Sequence, residues 1–151
     1  MKWKFKKFLV KLLRLNNTPF EIALGTAIGV FIAILPVYGF HTILVIIAAI
    51  IIRPANKIAM LLGTNISLPP TLPFITWTGY DIGRFFLKGD YPPLTWSDFT
   101  NVTFKKILNY YPPLFLGSII LGIICAAVFY FFTYFIVKKL KDRKKQPKER
   151  V

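Results

Sequence analysis

Apolar residues run along this chain in long blocks, and polar residues fall at the joints between them. Residues 2–16 are the exception. There Phe5, Phe8, Leu9, Leu12 and Leu13 recur every three or four positions, opposite Lys4, Lys7, Lys11 and Arg14. That period predicts an amphipathic helix lying in a lipid headgroup plane. Thr18-Pro19-Phe20-Glu21 then reads as a helix start, with a capping residue, a proline at the first helical position and a glutamate able to reach back. From Phe20 to Ile52 the chain is nearly uncharged, too long for one span and short for two. Pro36, Gly39 and the pair His41-Thr42 divide that run, so a helical hairpin turning near "PVYGFHT" is expected. The connector Arg53-Pro54-Ala55-Asn56-Lys57 follows.

A second apolar block is broken more heavily. Ile58 to Asn65 is helical in pattern, "SLPPTLPF" interrupts it, and Ile75 to Leu87 resumes. Pro69, Pro70 and Pro73 cannot share one continuous helix, because each removes a donor and clashes with the preceding turn. The carbonyls they free have to be buried in protein or line a wet cavity. Between Tyr91-Pro92-Pro93 and Tyr111-Pro112-Pro113 an interfacial helix is expected, capped near Thr95-Trp96-Ser97-Asp98. Leu114 to Val137 carries no charge and predicts a spanning helix, and "KKLKDRKKQPKER" predicts a disordered basic tail. The expected fold is an all-α integral membrane protein. It has an N-terminal amphipathic helix, two proline-broken helical hairpins that span or re-enter, and one long C-terminal transmembrane helix. Its segments are 1–17, 18–89, 90–113, 114–137 and 138–151. Leu24-Gly25-Thr26 is echoed by Leu62-Gly63-Thr64, a faint sign of an internal repeat.

Composition agrees. Charged residues make up 17% of the chain, against about 25% in soluble domains. The net charge of +14 sits mainly beside the apolar blocks, which points to anionic headgroups and not to nucleic acid. The positive-inside bias puts both termini and the 53–57 connector on the cytoplasmic side, giving two or four crossings. Lys105 and Lys106 then lie outside, against that bias. The lone Cys125 reads as an apolar packing residue and leaves no partner for a disulfide within the chain. So few helices enclose little space, and a homo-oligomer is expected.

The chemistry is sparse. No nucleophile–base pair, phosphate loop or metal-ligand spacing around His41 is present in the sequence, so no catalytic residue, metal or cofactor is expected and an enzyme is not. Two readings compete. In one, the broken hairpins meet and Pro36, Gly39, His41, Thr42, Asn65, Ser67, Pro69 and Thr71 form a polar site at membrane depth. Arg53, Asp81 or Arg84 would then contact an anion or headgroup, with Asp81 and Arg84 spaced to pair on one helix face. That describes a small transporter or lipid translocator. In the other, the prolines and Gly25, Gly29, Gly63, Gly79 and Gly83 serve packing, as small residues do between membrane helices. That describes a scaffold or accessory subunit.

The stretches "TPFEIALGTAIGVFIAILPVYGFHT", "RPAN", "GTNISLPPT" and "YDIG" together resemble a bacterial membrane family known as domain of unknown function 2062. The resemblance covers about residues 18–88. It implies a protein of the bacterial cytoplasmic membrane. Some relatives resemble fusions to glycosyltransferase domains, which implies a neighbourhood of envelope or lipid-linked glycan machinery, with an envelope glycosyltransferase or another membrane protein as partner. Two positions depart from the family's pattern: Leu68 where an asparagine is usual, and His41 where a glutamine often stands.

Overall fold

A computed structural model describes residues 17–37, 39–66, 71–87, 89–95 and 104–145. The amphipathic pattern over 2–16, the residues Ser67, Leu68, Pro69 and Pro70, and the capping pattern around Ser97 lie outside these. The described residues hold five helices and no strand.

Each helix begins where local chemistry asks it to. Helix α1 (Pro19–Ile34) has Pro19 in its first turn. The Thr18 hydroxyl accepts from the Glu21 N–H at 3.2 Å, and the Glu21 carboxylate accepts from the Thr18 N–H at 2.9 Å. This capping box satisfies two donors that a helix start leaves open. The helix stops at Leu35, whose backbone is extended, as steric conflict with the next proline requires. Gly39 turns the chain at φ +85°, and α2 (His41–Ile51) follows. Asn56 heads α3 (Lys57–Gly63), its side-chain oxygen accepting from the Ala59 N–H at 2.7 Å. A single 3₁₀ turn, Thr64–Ile66, prolongs it. Helix α4 (Leu72–Phe86) starts after the proline cluster, with proline in its first turn. Helix α5 runs unbroken from Phe104 to Lys145, 42 residues or about 63 Å at 1.5 Å per residue.

Helix α5 is the spine. Lys141 donates to the Asn17 carbonyl, Phe20 meets Tyr130 edge to face at 6.4 Å, and Phe31 packs at Gly122. So α1 lies antiparallel to the C-terminal half of α5 and ends near its middle. Helix α4 covers the other half: Gly79 packs on Ser118, Gly83 on Pro113, and Tyr80 on Tyr110. It too is antiparallel to α5. The two shorter helices therefore follow one another along the spine.

Helix α3 packs beside α1 in the same direction, Asn56 against Gly25 and Met60 against Gly29. The Asn56 N–H also donates to the Glu21 carbonyl at 2.9 Å, which ties the start of α3 to the start of α1. This corrects the second expected hairpin. Helices α3 and α4 point the same way, so α4 does not fold back on α3. The first block does fold back, since α2 brings the chain from the end of α1 to the level of Glu21. The echo between the two Leu-Gly-Thr triplets is accordingly not a repeat of topology.

The last helix also exceeds the expected bounds of 114–137. At its start, Pro112 and Pro113 remove donors to the carbonyls of Leu108 and Asn109, four residues earlier. Those two residues are exposed, so their carbonyls have room for other partners. At its end, Lys138–Lys145 is helical where a disordered tail was expected. Cations in the last turns of a helix are favoured by its negative C-terminal pole. Residues 146–151 lie outside the described chain.

The seams close through backbone. A Cβ on Gly25 or Gly29 would run into the carbonyls of Asn56 or Met60, and one on Gly63 would stand 2.6 Å from the Thr26 oxygen. A Cβ on Gly83 or Gly117 would collide with the backbone of the opposite helix. Gly25 and Gly29, and again Gly79 and Gly83, are four residues apart, one helical face that lets backbones approach. The core lies between α1, α2 and α3, around Ile32, Val45, Ala55 and Met60. The exterior is apolar too. Ile43, Ile46, Ile47, Ile50 and Ile51 are exposed on α2, and Ile123, Ile124, Val128, Phe131, Phe132 and Phe135 on α5.

Candidate functional site

The two breaks in the helices come together. Ile34 ends α1, Thr71 precedes α4, and both line an open groove of about 470 Å³ with Phe74, Ile75, Thr78, Leu121 and Cys125. Leu121 and Cys125 lie near the middle of α5, so the groove sits midway along the spine. Helical periodicity explains its lining. Thr71, Phe74, Ile75 and Thr78 share one face of the turns opening α4, and Leu121 and Cys125 are four apart on α5. The sequence reading took Cys125 as a packing residue. The structure finds it half-buried at this groove. The 3.6-residue period of α4 was the signal for the other members, hidden because the proline cluster obscured where α4 began.

The polar residues expected at the breaks are not gathered around this groove. His41 Nε2 stands 3.2 Å from the Leu35 carbonyl oxygen, closing its own turn. Pro36 is buried at the end of α1, Gly39 is exposed at the turn, and Thr42 is exposed on α2. Asn65 donates to the carbonyls of Leu61 at 3.3 Å and Leu62 at 3.5 Å, one turn behind it. The Thr64 hydroxyl donates to Leu61 as well, at 2.7 Å. Thr71 is the one expected member lining the groove, and Ser67 and Pro69 fall outside the described residues. Among the described residues no buried side-chain nitrogen or oxygen lacks a partner. Buried Thr26, for one, donates to the Ile22 carbonyl at 3.0 Å.

The charged candidates are also apart. Arg53 is exposed in the turn before Asn56, at the Glu21 end of α1. Asp81 and Arg84 pair at 3.9 Å on α4, three residues apart and over a third exposed. They flank Gly83, which packs at Pro113, so most of the length of α5 separates them from Arg53. Near them Tyr80 is fully buried, and its hydroxyl donates to the Pro92 carbonyl at 2.6 Å. That bond holds the 89–95 segment over the far end of α4 and α5. Among the described residues no three His, Cys, Asp or Glu side chains stand close enough to hold a metal.

A match to a known family spans residues 2–146 of the chain. This chain belongs to domain of unknown function 2062, described as uncharacterized protein conserved in bacteria. No curated protein and no solved structure matches it significantly. The stretches that carried the resemblance fall on the joints of the fold. "TPFE" is the capping box of α1, and "RPAN" supplies Asn56, which caps α3 and bonds to Glu21. The glycines of "ALGTAIG" and "GTN" form the α1–α3 seam. "YDIG" supplies Tyr80 and Gly83, which fasten α4 to α5 and to the 89–95 segment. His41, which departs from the family's pattern, bonds back to Leu35.

Proposed function

We propose that this member of the family is an integral protein of the bacterial cytoplasmic membrane that works as a scaffold or accessory subunit beside envelope or lipid-linked glycan machinery. Membrane residence is supported by α5. Its Leu108–Arg143 stretch has a mean hydropathy of 2.5 over its most apolar window, of which 17% is buried. A core helix of a soluble protein would be mostly covered. An isoleucine-rich, exposed α2 and the bare phenylalanines of α5 point the same way. In this reading α1 and α2 form a re-entrant pair, α3 and α4 together make one broken crossing, and α5 makes the return. Both termini are then cytoplasmic.

One observation carries the choice of scaffold over channel. The breaks meet at an apolar groove, while the buried polar groups near them bond within the chain. Discontinuous backbone in a membrane needs protein or water as partner, and an apolar groove at the breaks favours protein over water. The translocator reading keeps one point in favour, the meeting of two helix breaks midway along a spanning helix, where such proteins place substrates.

Water access separates the two. Thr71→Cys and His41→Cys, each in a Cys125→Ala background, are treated in intact cells with permeant and impermeant thiol reagents. Sites that stay unreactive until detergent is added support the scaffold. Labelling of both sites that lipid-phosphate analogues suppress would favour translocation.

A further inference from the structure

The C-terminal turns of α5 carry a feature that neither seams nor groove use. Phe135, Lys138, Lys139, Asp142 and Arg143 line one open hollow of about 440 Å³. Their spacing puts them on one stripe of the helix. Three cations face one carboxylate there. Among the described residues Arg84–Asp81 is the one ion pair, so Asp142 does not pair at contact distance with Lys138, Lys139 or Arg143. Lys141 points elsewhere, to the Asn17 carbonyl.

The stripe begins where the apolar helix ends. Tyr130 and Tyr134 stack at 6.2 Å, and the Lys138 ammonium lies 5.9 Å from the Tyr134 ring centre. Tyrosines with one apolar and one wet end collect at the level of lipid headgroups. Interleaved with them on α5, Phe131, Phe132 and Phe135 are exposed to whatever surrounds the helix. A ligand seated in the hollow would thus meet cations at one end and bare aromatic surface at the other.

We propose that this hollow is a binding site for the phosphate of an anionic phospholipid, with Lys138, Lys139 and Arg143 holding the headgroup and the acyl chains lying along Phe135 and Phe131. Arginine presents a fork of donors suited to phosphate, and the two lysines add point charges. Each cation near a charged surface contributes attraction that falls away within a Debye length. The site rests on the membrane reading of the chain.

The test uses the full chain in nanodiscs of phosphatidylcholine mixed with phosphatidylglycerol. Lipids retained after gentle release are counted by native mass spectrometry. The wild-type protein is expected to retain phosphatidylglycerol in preference to phosphatidylcholine. The triple variant K138Q/K139Q/R143Q should lose about tenfold of that preference. The variant K57Q, at the same end of the fold, should keep it, and inorganic phosphate should not displace the lipid. Helical circular dichroism of both variants checks that they fold. Equal retention of the two lipids, an unaffected triple variant, or displacement by free phosphate overturns the site while the membrane reading stands. A chain that fails to enter the nanodiscs, or is stripped from native membranes by alkaline carbonate, overturns the membrane reading and the site with it.

Discussion

At the scale of single residues, the stability of this fold rests on atoms that are missing. A methyl group on Gly83 would occupy the place of the Pro113 carbonyl oxygen, which belongs to backbone and cannot swing aside. Gly83→Ala should therefore destabilise the protein by about 1–3 kcal/mol, as overpacking does, read as a lower unfolding temperature in detergent. Gly39→Ala tests a different cause. Nothing lies within 4 Å of the space its Cβ would fill, but its φ of +85° strains any L side chain. A loss of about 1–2 kcal/mol is expected from that strain. Asn56→Ala should lose about 1 kcal/mol through its cap, and somewhat more because Asn56 is buried. Asp81→Asn breaks a pair that is more than a third exposed and should change stability by less than about 1 kcal/mol. A large effect there would mean the pair is doing something other than closing a surface contact.

At the scale of elements, the direction of α4 is the decisive feature. The capping box at Thr18, the stop before Pro36 and the break at the proline cluster were all legible, because each depends on residues close in sequence. The direction taken after the break was not. Prolines end a helix without saying where the chain goes next, and that is settled by which surface α4 meets. Gly79 and Gly83 match Gly117 and Pro113 on the first half of α5, so α4 continues outward along it. Cysteines at Tyr80 and Tyr110, in a Cys125→Ala background, should be joined by a short bifunctional thiol reagent that spans the space of the two rings, which lie 5.3 Å apart in the native fold. Had α4 turned back toward Lys141, that pair would be out of reach, and absence of the cross-link would count against this direction of α4. Several polar residues near the breaks bond locally. His41, Thr64 and Asn65 have carbonyls of their own turns within reach, and a local partner costs less chain entropy than a distant one.

At the scale of the whole molecule, the Asn17 and Lys141 ends of the described chain lie together, and the 89–95 segment lies at the other end of the spine. The proposed membrane reading turns this into two crossings and a re-entrant pair, which is open to test. Asp90→Cys should accept an impermeant thiol reagent from outside intact cells, and Asp142→Cys only after permeabilisation, both in a Cys125→Ala background. Labelling of both from the same side would rule out the arrangement. Arg53, Lys57, Lys138, Lys139, Lys141 and Arg143 belong to the end that carries Asn17, as that reading asks, while Arg84, Lys105 and Lys106 belong to the other end and run against it.

The helical character of the chain, the capped start and proline-bounded stop of α1, the family, and the glycines at the close contacts were legible in the amino-acid order alone. Those depend on periodicity, caps and side-chain size, which act over one or two turns. Packing between distant segments settled that α4 runs the same way as α3, that α5 runs through two prolines and into the basic residues, and that the breaks meet at an open apolar groove. Those outcomes depend on which backbone surfaces can approach closely, and residues far apart in the chain set that approach together.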